Sequence, residues 1–387
     1  MAGVTMASET GMLTLLLHGR HAPPTHAEVG GQGRDAVEYQ PLGQWIVPWR
    51  FDSFEAEYEV LRAGAGLIDY STQAFIEVRG RDRATFLNAL LTNDIKRLSP
   101  GTGCRAALLD PSAKVIAELV VLADPDAIWL LCDLSRSGVV AQTLDRHRFS
   151  EEVSLTNHER RWAALALQGP RTMDLLRPLF GSVGSPPQPG DHAVVALQDL
   201  TIRLIHYRLA DEPGLLCLVR AEEALAVWGW LSRRGRETGL LLVGWDALNT
   251  ARIEAGIPWF GIDVDTVNLL PETGLEEQLA SETKGCYVGQ EIVARMRTYG
   301  SANKRLMGLV IEGDKVPETG DPMMRGGELL GHVTSACRSP ALRRPIAMGY
   351  VKRGAYEPGT AVEIVRGSER LRATVTTRPL ISSKGCP

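Results

Sequence analysis

The sequence predicts an α+β protein that ends in a small all-β domain. Two observations carry this reading. Strand–glycine–helix units occur twice in the first half of the chain. From Leu306 onward, five short β-rich runs follow one another, punctuated by Gly, Pro, Asp and Asn.

The elements follow in order. Residues 1–45 read as an irregular extension, because His21-Ala22-Pro23-Pro24-Thr25-His26 and Gly30-Gly31-Gln32-Gly33 are loop chemistry. His18, His21 and His26 lack a compact ligand spacing, so a solvated tail is expected there and no metal site. Regular structure starts near Phe51, where Phe54, Tyr58 and Leu61 recur at helical spacing. Phe75-Ile76-Glu77-Val78 reads as a strand, Gly80-Arg81 as a turn and Asp82 as an N-cap. The next helix places Phe86, Leu87, Leu90 and Leu91 on one face. Ala164–Leu167 repeats the strand, Gly169 the turn, and Pro170 suits a first helical position. Met173, Leu175, Leu176 and Leu179 form the apolar face of that second helix, which Gly181 can end. Residues 181–190, rich in Pro and Gly, read as a loop. Trp228–Leu231 and Asp246–Ala255 belong to further helices. The runs 306–311, 329–334, 346–351, 361–365 and 371–376 then predict a small barrel or sandwich.

Composition narrows the function. The 387 residues are 44% hydrophobic and 23% charged, as expected of a soluble protein with sizeable cores. A net charge of -4 gives no general attraction to nucleic acid or anionic membranes. No apolar stretch is long enough to span a bilayer, and Met12–Leu17 lacks the basic flank of a signal peptide. Cysteines 104, 132, 217, 286, 337 and 386 are scattered without a C-x-x-C pair, so reduced cytoplasmic thiols are expected.

One octapeptide concentrates the chemistry: Lys284-Gly285-Cys286-Tyr287-Val288-Gly289-Gln290-Glu291, followed by the helix-like Ile292–Met296. A thiol beside a cation and before a helix N-terminus favours its thiolate. Cys286 is therefore the reactive candidate, with Lys284 holding its charge. It can act as nucleophile, redox thiol or transient iron ligand. A single cysteine does not hold an iron–sulfur cluster, which takes four protein ligands. Gln290 and Glu291 are placed to hydrogen-bond the loop or cap the helix. Arg295, Arg297, Lys304 and Arg305 form a basic stretch, read as solvated surface. Lys384-Gly385-Cys386 lacks the rest of the motif.

The octapeptide resembles the K-G-C-[YF]-x-G-Q-E motif of the YgfZ family, folate-binding relatives of the glycine-cleavage T-protein that support iron–sulfur proteins. Weaker matches to the T-protein superfamily follow in order: Gly66–Ser71, Leu91–Ile95, Leu167–Pro170, Arg252–Gly256 and Gly331–Ser335. The resemblance implies a three-domain cloverleaf of T-protein type around a central opening that holds tetrahydrofolate or a derivative. Domain 1 would be discontinuous, at 46–150 and 241–304. An α+β domain 2 would be inserted at 151–240, and a β-barrel would occupy 305–387. It also implies iron–sulfur client or assembly proteins as partners, tRNA-modifying enzymes among the clients, with no direct nucleic-acid binding.

A folate site needs a carboxylate for the pterin, apolar walls and cations for the glutamate tail. By position in the resemblance, Glu212 is the carboxylate candidate. Asn93 and Asp94 form a loop after a helix, and Trp259 with Phe260 can wall a cavity. Arg252 can pair with a folate carboxylate; Glu254, two positions on and off that face, is a further folate-site candidate, with a structural ion pair as its stronger alternative. The T-protein carries Gly-Gly-x-x-Asp-Asp where this chain reads Ala113–Glu118, ending in Ala117-Glu118. Displacing a reacting group by ~1 Å costs on the order of a hundredfold in rate. An accessory role is thus the first reading. A tetrahydrofolate-dependent aminomethyltransferase using Glu118 is the second, and an RNA- or protein-binding scaffold the third.

Overall fold

A computed structural model describes residues 13–15, 17, 37–176, 190–197, 199–300 and 302–381. The histidines of the tail, most of the 181–190 loop and Cys386 lie outside them. Among the described residues there are four sheets, one of them a closed barrel.

The largest sheet has six strands in the order His192–Leu197, Leu200–His206, Gly214–Arg220, Trp162–Gln168, Ala65–Asp69 and Leu240–Leu242. Only the last pairing is parallel. A second sheet has five strands in the order Gly103–Leu109, Val115–Ala123, Ala127–Asp133, Gln73–Arg79 and Ser154–Asn157. Two short strands, Glu38–Leu42 and Trp45–Arg50, form a hairpin, so regular structure begins inside the expected extension. Ala65–Asp69 precedes the five-stranded sheet in sequence and pairs with Trp162–Gln168, which follows it, and Leu240–Leu242 pairs with the other edge of Ala65–Asp69. In terms of sheets, residues 73–157 form one unit set between strands of the six-stranded sheet.

The local reasons are visible. Helix Phe54–Ala63 is capped by Ser53, whose Oγ accepts from the Ala56 N–H at 3.3 Å. The buried Glu57 carboxylate accepts from Phe51 N (2.6 Å) and Asp52 N (2.7 Å), and from Gly244 N at 2.7 Å. One side chain thereby ties the start of this helix to the start of helix Trp245–Glu254. A Cβ at Gly244 would lie 2.1 Å from the Trp49 carbonyl oxygen, so only glycine permits that approach. The common core of the two sheets includes Tyr58, Leu61, Ile68, Phe75, Leu131 and Trp245.

The C-terminal barrel closes in the order Lys304–Ile311, Arg344–Lys352, Glu328–Ser339, Pro322–Arg325, Ala361–Arg366 and Glu369–Thr376. Five strands match the sequence reading. The sixth, Pro322–Arg325, is too short to show a period of two. Helix Trp245–Glu254 docks the barrel through two buried side chains. Arg252 Nη2 donates to Ser335 Oγ at 2.7 Å, and its Nη1 pairs with Asp263. Glu254 accepts from Tyr58 OH at 2.7 Å and from Ser339 Oγ. Both residues are 1% exposed. The expectation that Arg252 reaches a ligand carboxylate is thus corrected: its fork is spent on Asp263, Ser335 and Asn249.

Candidate functional site

The two sheets, helix Trp245–Glu254 with the loop after it, and the barrel surround a central cavity of about 1180 Å³. Tyr70, Trp245, Trp259 and Phe260 give it aromatic walls. Tyr70 stacks on Trp245 with centroids 5.4 Å apart, and Trp259 meets Trp245 edge-on at 5.2 Å. Trp259 Nε1 and His206 Nδ1 are buried and have no hydrogen-bond partner. Buried polar atoms are nearly always paired, so these two are exceptions beside the cavity.

The polar centre is an ion pair that the sequence reading did not contain. Glu118 Oε1 accepts from Arg105 Nε at 2.9 Å and from Arg105 Nη2, while Arg105 Nη1 donates to Gln278 at 2.6 Å. Both Arg105 and Glu118 line the cavity. The hairpin places them there, because Ala107 faces Glu118 and Arg105 faces Val120 across the ladder. Arg105 and Glu118 are therefore diagonal neighbours on one face. Glu118 points into the opening, and Ala117 contributes no titratable group. Burial pushes the Tyr207 phenol up to about 12 and the Tyr70 phenol well above its ordinary range, so both stay protonated donors beside the carboxylate.

The Cys286 loop joins this centre from outside. Cys286 and Gly285 are exposed, whereas Tyr287 is buried. Gly289 has φ +81°, and a Cβ there would sit 2.8 Å from the Asp110 carbonyl oxygen, so the loop packs tightly on the 110–114 turn. Lys284 corrects an expectation. Its side chain turns inward, donating to the carbonyls of Asn88 (2.5 Å), Leu91 and Asn93 (3.1 Å), with the Tyr287 ring 5.0 Å away. It satisfies carbonyls at the end of helix Arg83–Leu90, and no hydrogen bond joins it to Cys286. Burial lowers its pKa to about 8. From Lys284 a chain of contacts reaches the cavity: Asn93 Nδ2 donates to the Arg105 carbonyl at 2.8 Å, and Arg105 holds Glu118.

The other expected residues divide. Asn93 and Trp259 line the cavity. Asp94 is paired with Arg97 at 3.0 Å and does not line it. Glu212 lies in the turn between strands Leu200–His206 and Gly214–Arg220 and is likewise absent from the wall. Gln290 and Glu291 make no side-chain cap of helix Gln290–Tyr299. Of the basic stretch, Arg297 pairs with Glu282, Lys304 with Glu272 (3.9 Å) and Arg305 with Glu276 (3.4 Å). Among the described residues no cluster of His, Cys, Asp and Glu could hold a metal ion, and no helix is long and apolar enough to cross a membrane.

Comparison with known proteins adds the family. Residues 32–281 match the GCVT N-terminal domain, and residues 304–381 match the glycine cleavage T-protein C-terminal barrel domain. An aminomethyltransferase of Streptomyces coelicolor is 30% identical over 87% of this chain and 90% of its own length. An aminomethyltransferase of Bacillus pumilus is 27% identical over 87% of this chain and 93% of its own length. The crystal structure of the glycine cleavage system aminomethyltransferase T from Bartonella henselae covers 96% of this chain and 98% of its own. Its TM-score is 0.82 at 22% identity, which places the two in one fold. The chain belongs to the glycine-cleavage T-protein family, whose members use tetrahydrofolate.

Proposed function

We propose that the protein binds tetrahydrofolate in the central cavity and serves as an accessory factor for iron–sulfur enzymes, with Cys286 as its reactive group. The observation that carries this reading is the exposed Cys286, presented on a loop anchored on both sides: Lys284 buried on three carbonyls, Tyr287 buried in the core, and Gly289 packed against the 110–114 turn. A loop built only for packing has no need to present a thiol to solvent.

The cavity suits the folate. Trp245, Trp259, Tyr70 and Phe260 would hold the flat pterin and aryl groups, and Glu118 would meet a polar edge. Bound tetrahydrofolate supplies one-carbon carrier chemistry. The chain's own contribution is a carboxylate fixed by Arg105 and two protonated phenols. The path Lys284–Asn93–Arg105–Glu118 gives ligand and thiol loop a physical link. The test is activity of an iron–sulfur client enzyme in cells lacking this protein, restored by wild type and not by Cys286→Ala. Full restoration by Cys286→Ala removes the thiol from the account.

A second reading is supported by the aminomethyltransferase relatives and by Glu118 facing the cavity. In it Glu118 is the working carboxylate of a tetrahydrofolate-dependent aminomethyl transfer. Turnover of an aminomethyl-lipoyl substrate by the purified protein, abolished in Glu118→Gln, would establish that reading in place of the first.

A further inference from the structure

We infer that Arg136 forms an anion subsite of the central cavity and takes a carboxylate of the ligand's glutamate tail, an inference that rests on the folate reading. Five arginines line the cavity: Arg105, Arg136, Arg208, Arg305 and Arg378. Arg105 is paired with Glu118, Arg208 with Asp211 at 3.0 Å, and Arg305 with Glu276 at 3.4 Å. Arg378 spends its fork on the carbonyls of Gly256 (3.1 Å) and Thr273.

Arg136 is different. Its Nε donates to the Ile116 carbonyl at 3.0 Å, and its guanidinium carbon lies 5.6 Å from the Phe260 ring centroid. Among the described residues no carboxylate is within ion-pair distance of it. Asp133 is near enough to feel its charge, but Asp133 Oδ1 is engaged by Ser135 N at 2.9 Å and by the Ser135 hydroxyl. One nitrogen is therefore anchored and the guanidinium lies near an aromatic ring, which leaves both Nη groups unspent on a half-buried side chain. A planar fork held this way matches a carboxylate with two parallel hydrogen bonds. Partial burial keeps solvent from screening the pair. Of the parts of a folate, only the glutamate carries such a group.

The experiment compares tetrahydrofolate with tetrahydropteroate, which lacks the glutamate, by anaerobic calorimetry on the full chain. Wild type is expected to bind tetrahydrofolate about tenfold or more tightly than tetrahydropteroate. Arg136→Gln should bring tetrahydrofolate down to the tetrahydropteroate level and leave tetrahydropteroate unchanged. Equal affinities in wild type, or equal losses for both ligands in Arg136→Gln, overturn the subsite while leaving the folate site standing. Binding of neither ligand by wild type overturns the folate reading itself. If Arg136→Gln does not fold, Arg136→Lys decides. It keeps the charge and loses the fork, and it should weaken tetrahydrofolate alone.

Discussion

At the scale of single residues, Cys286 and Lys284 have separate tasks that the sequence ran together. The Lys284 ammonium is held by the carbonyls of Asn88, Leu91 and Asn93 while Cys286 is exposed, so nearness in sequence does not put the cation on the thiol. Cys286→Ala should leave thermal stability within about 0.5 kcal/mol of wild type, because the side chain is exposed, while client activity is lost. A large drop in stability would make the cysteine structural. Lys284 makes a prediction with a definite sign. Its folded pKa is about 8, against an ordinary value of 10.5. Between those values the unfolded chain holds more protons than the folded one, so stability from this group rises with pH across that window. The advantage of wild type over Lys284→Met, measured by denaturant unfolding, should therefore grow from pH 8 towards pH 10. A gap that stays flat would mean that the ammonium is not buried. Arg105 escaped the sequence reading because nothing in the linear chain says that it lies diagonal to Glu118. Only the register of their hairpin does.

At the scale of elements, two joints hold the site in place. The first is the contact of Gly289 with the 110–114 turn. Gly289→Ala must adopt φ +81° and push a methyl group into the Asp110 carbonyl. It should cost about 1–3 kcal/mol, and thiol labelling of Cys286 should change with it. Unchanged stability and labelling would show that the loop is free of the turn. The second joint is Arg252–Asp263 with Ser335, between helix Trp245–Glu254 and the barrel. Arg252→Met leaves Asp263 buried without its cation and should destabilise by about 3–5 kcal/mol. Helices and most barrel strands were legible because their signals are local: Phe54, Tyr58 and Leu61 for one helix, the short β-rich runs between turn residues for the barrel. Pro322–Arg325 was not, being four residues long.

At the scale of the whole molecule, the chain's order hides its architecture. Ala65–Asp69 pairs with Trp162–Gln168 across the entire five-stranded sheet, and Leu240–Leu242 adds on its other side. Such pairings depend on tertiary packing, which local pattern does not encode. The motif around Cys286 could be read because eight adjacent residues carry it. The cavity wall could be read only in part, at Asn93, Glu118, Trp259 and Phe260. Its other members come from strands and loops far apart in sequence, such as Tyr70, Arg105, Arg136 and Tyr207. Glu212 and Asp94 were chosen by position and residue type, and neither lines the opening. The same long-range closure makes the cavity a property of the intact chain, since both sheets, the joining helix and the barrel each supply part of it.

The central claim is that this cavity binds tetrahydrofolate, and anaerobic calorimetric titration of the reduced protein tests it most directly. Saturable binding near one site per chain, lost or weakened at least tenfold in Trp259→Ala, is the predicted result. No heat of binding, or binding indifferent to Trp259, would contradict the account.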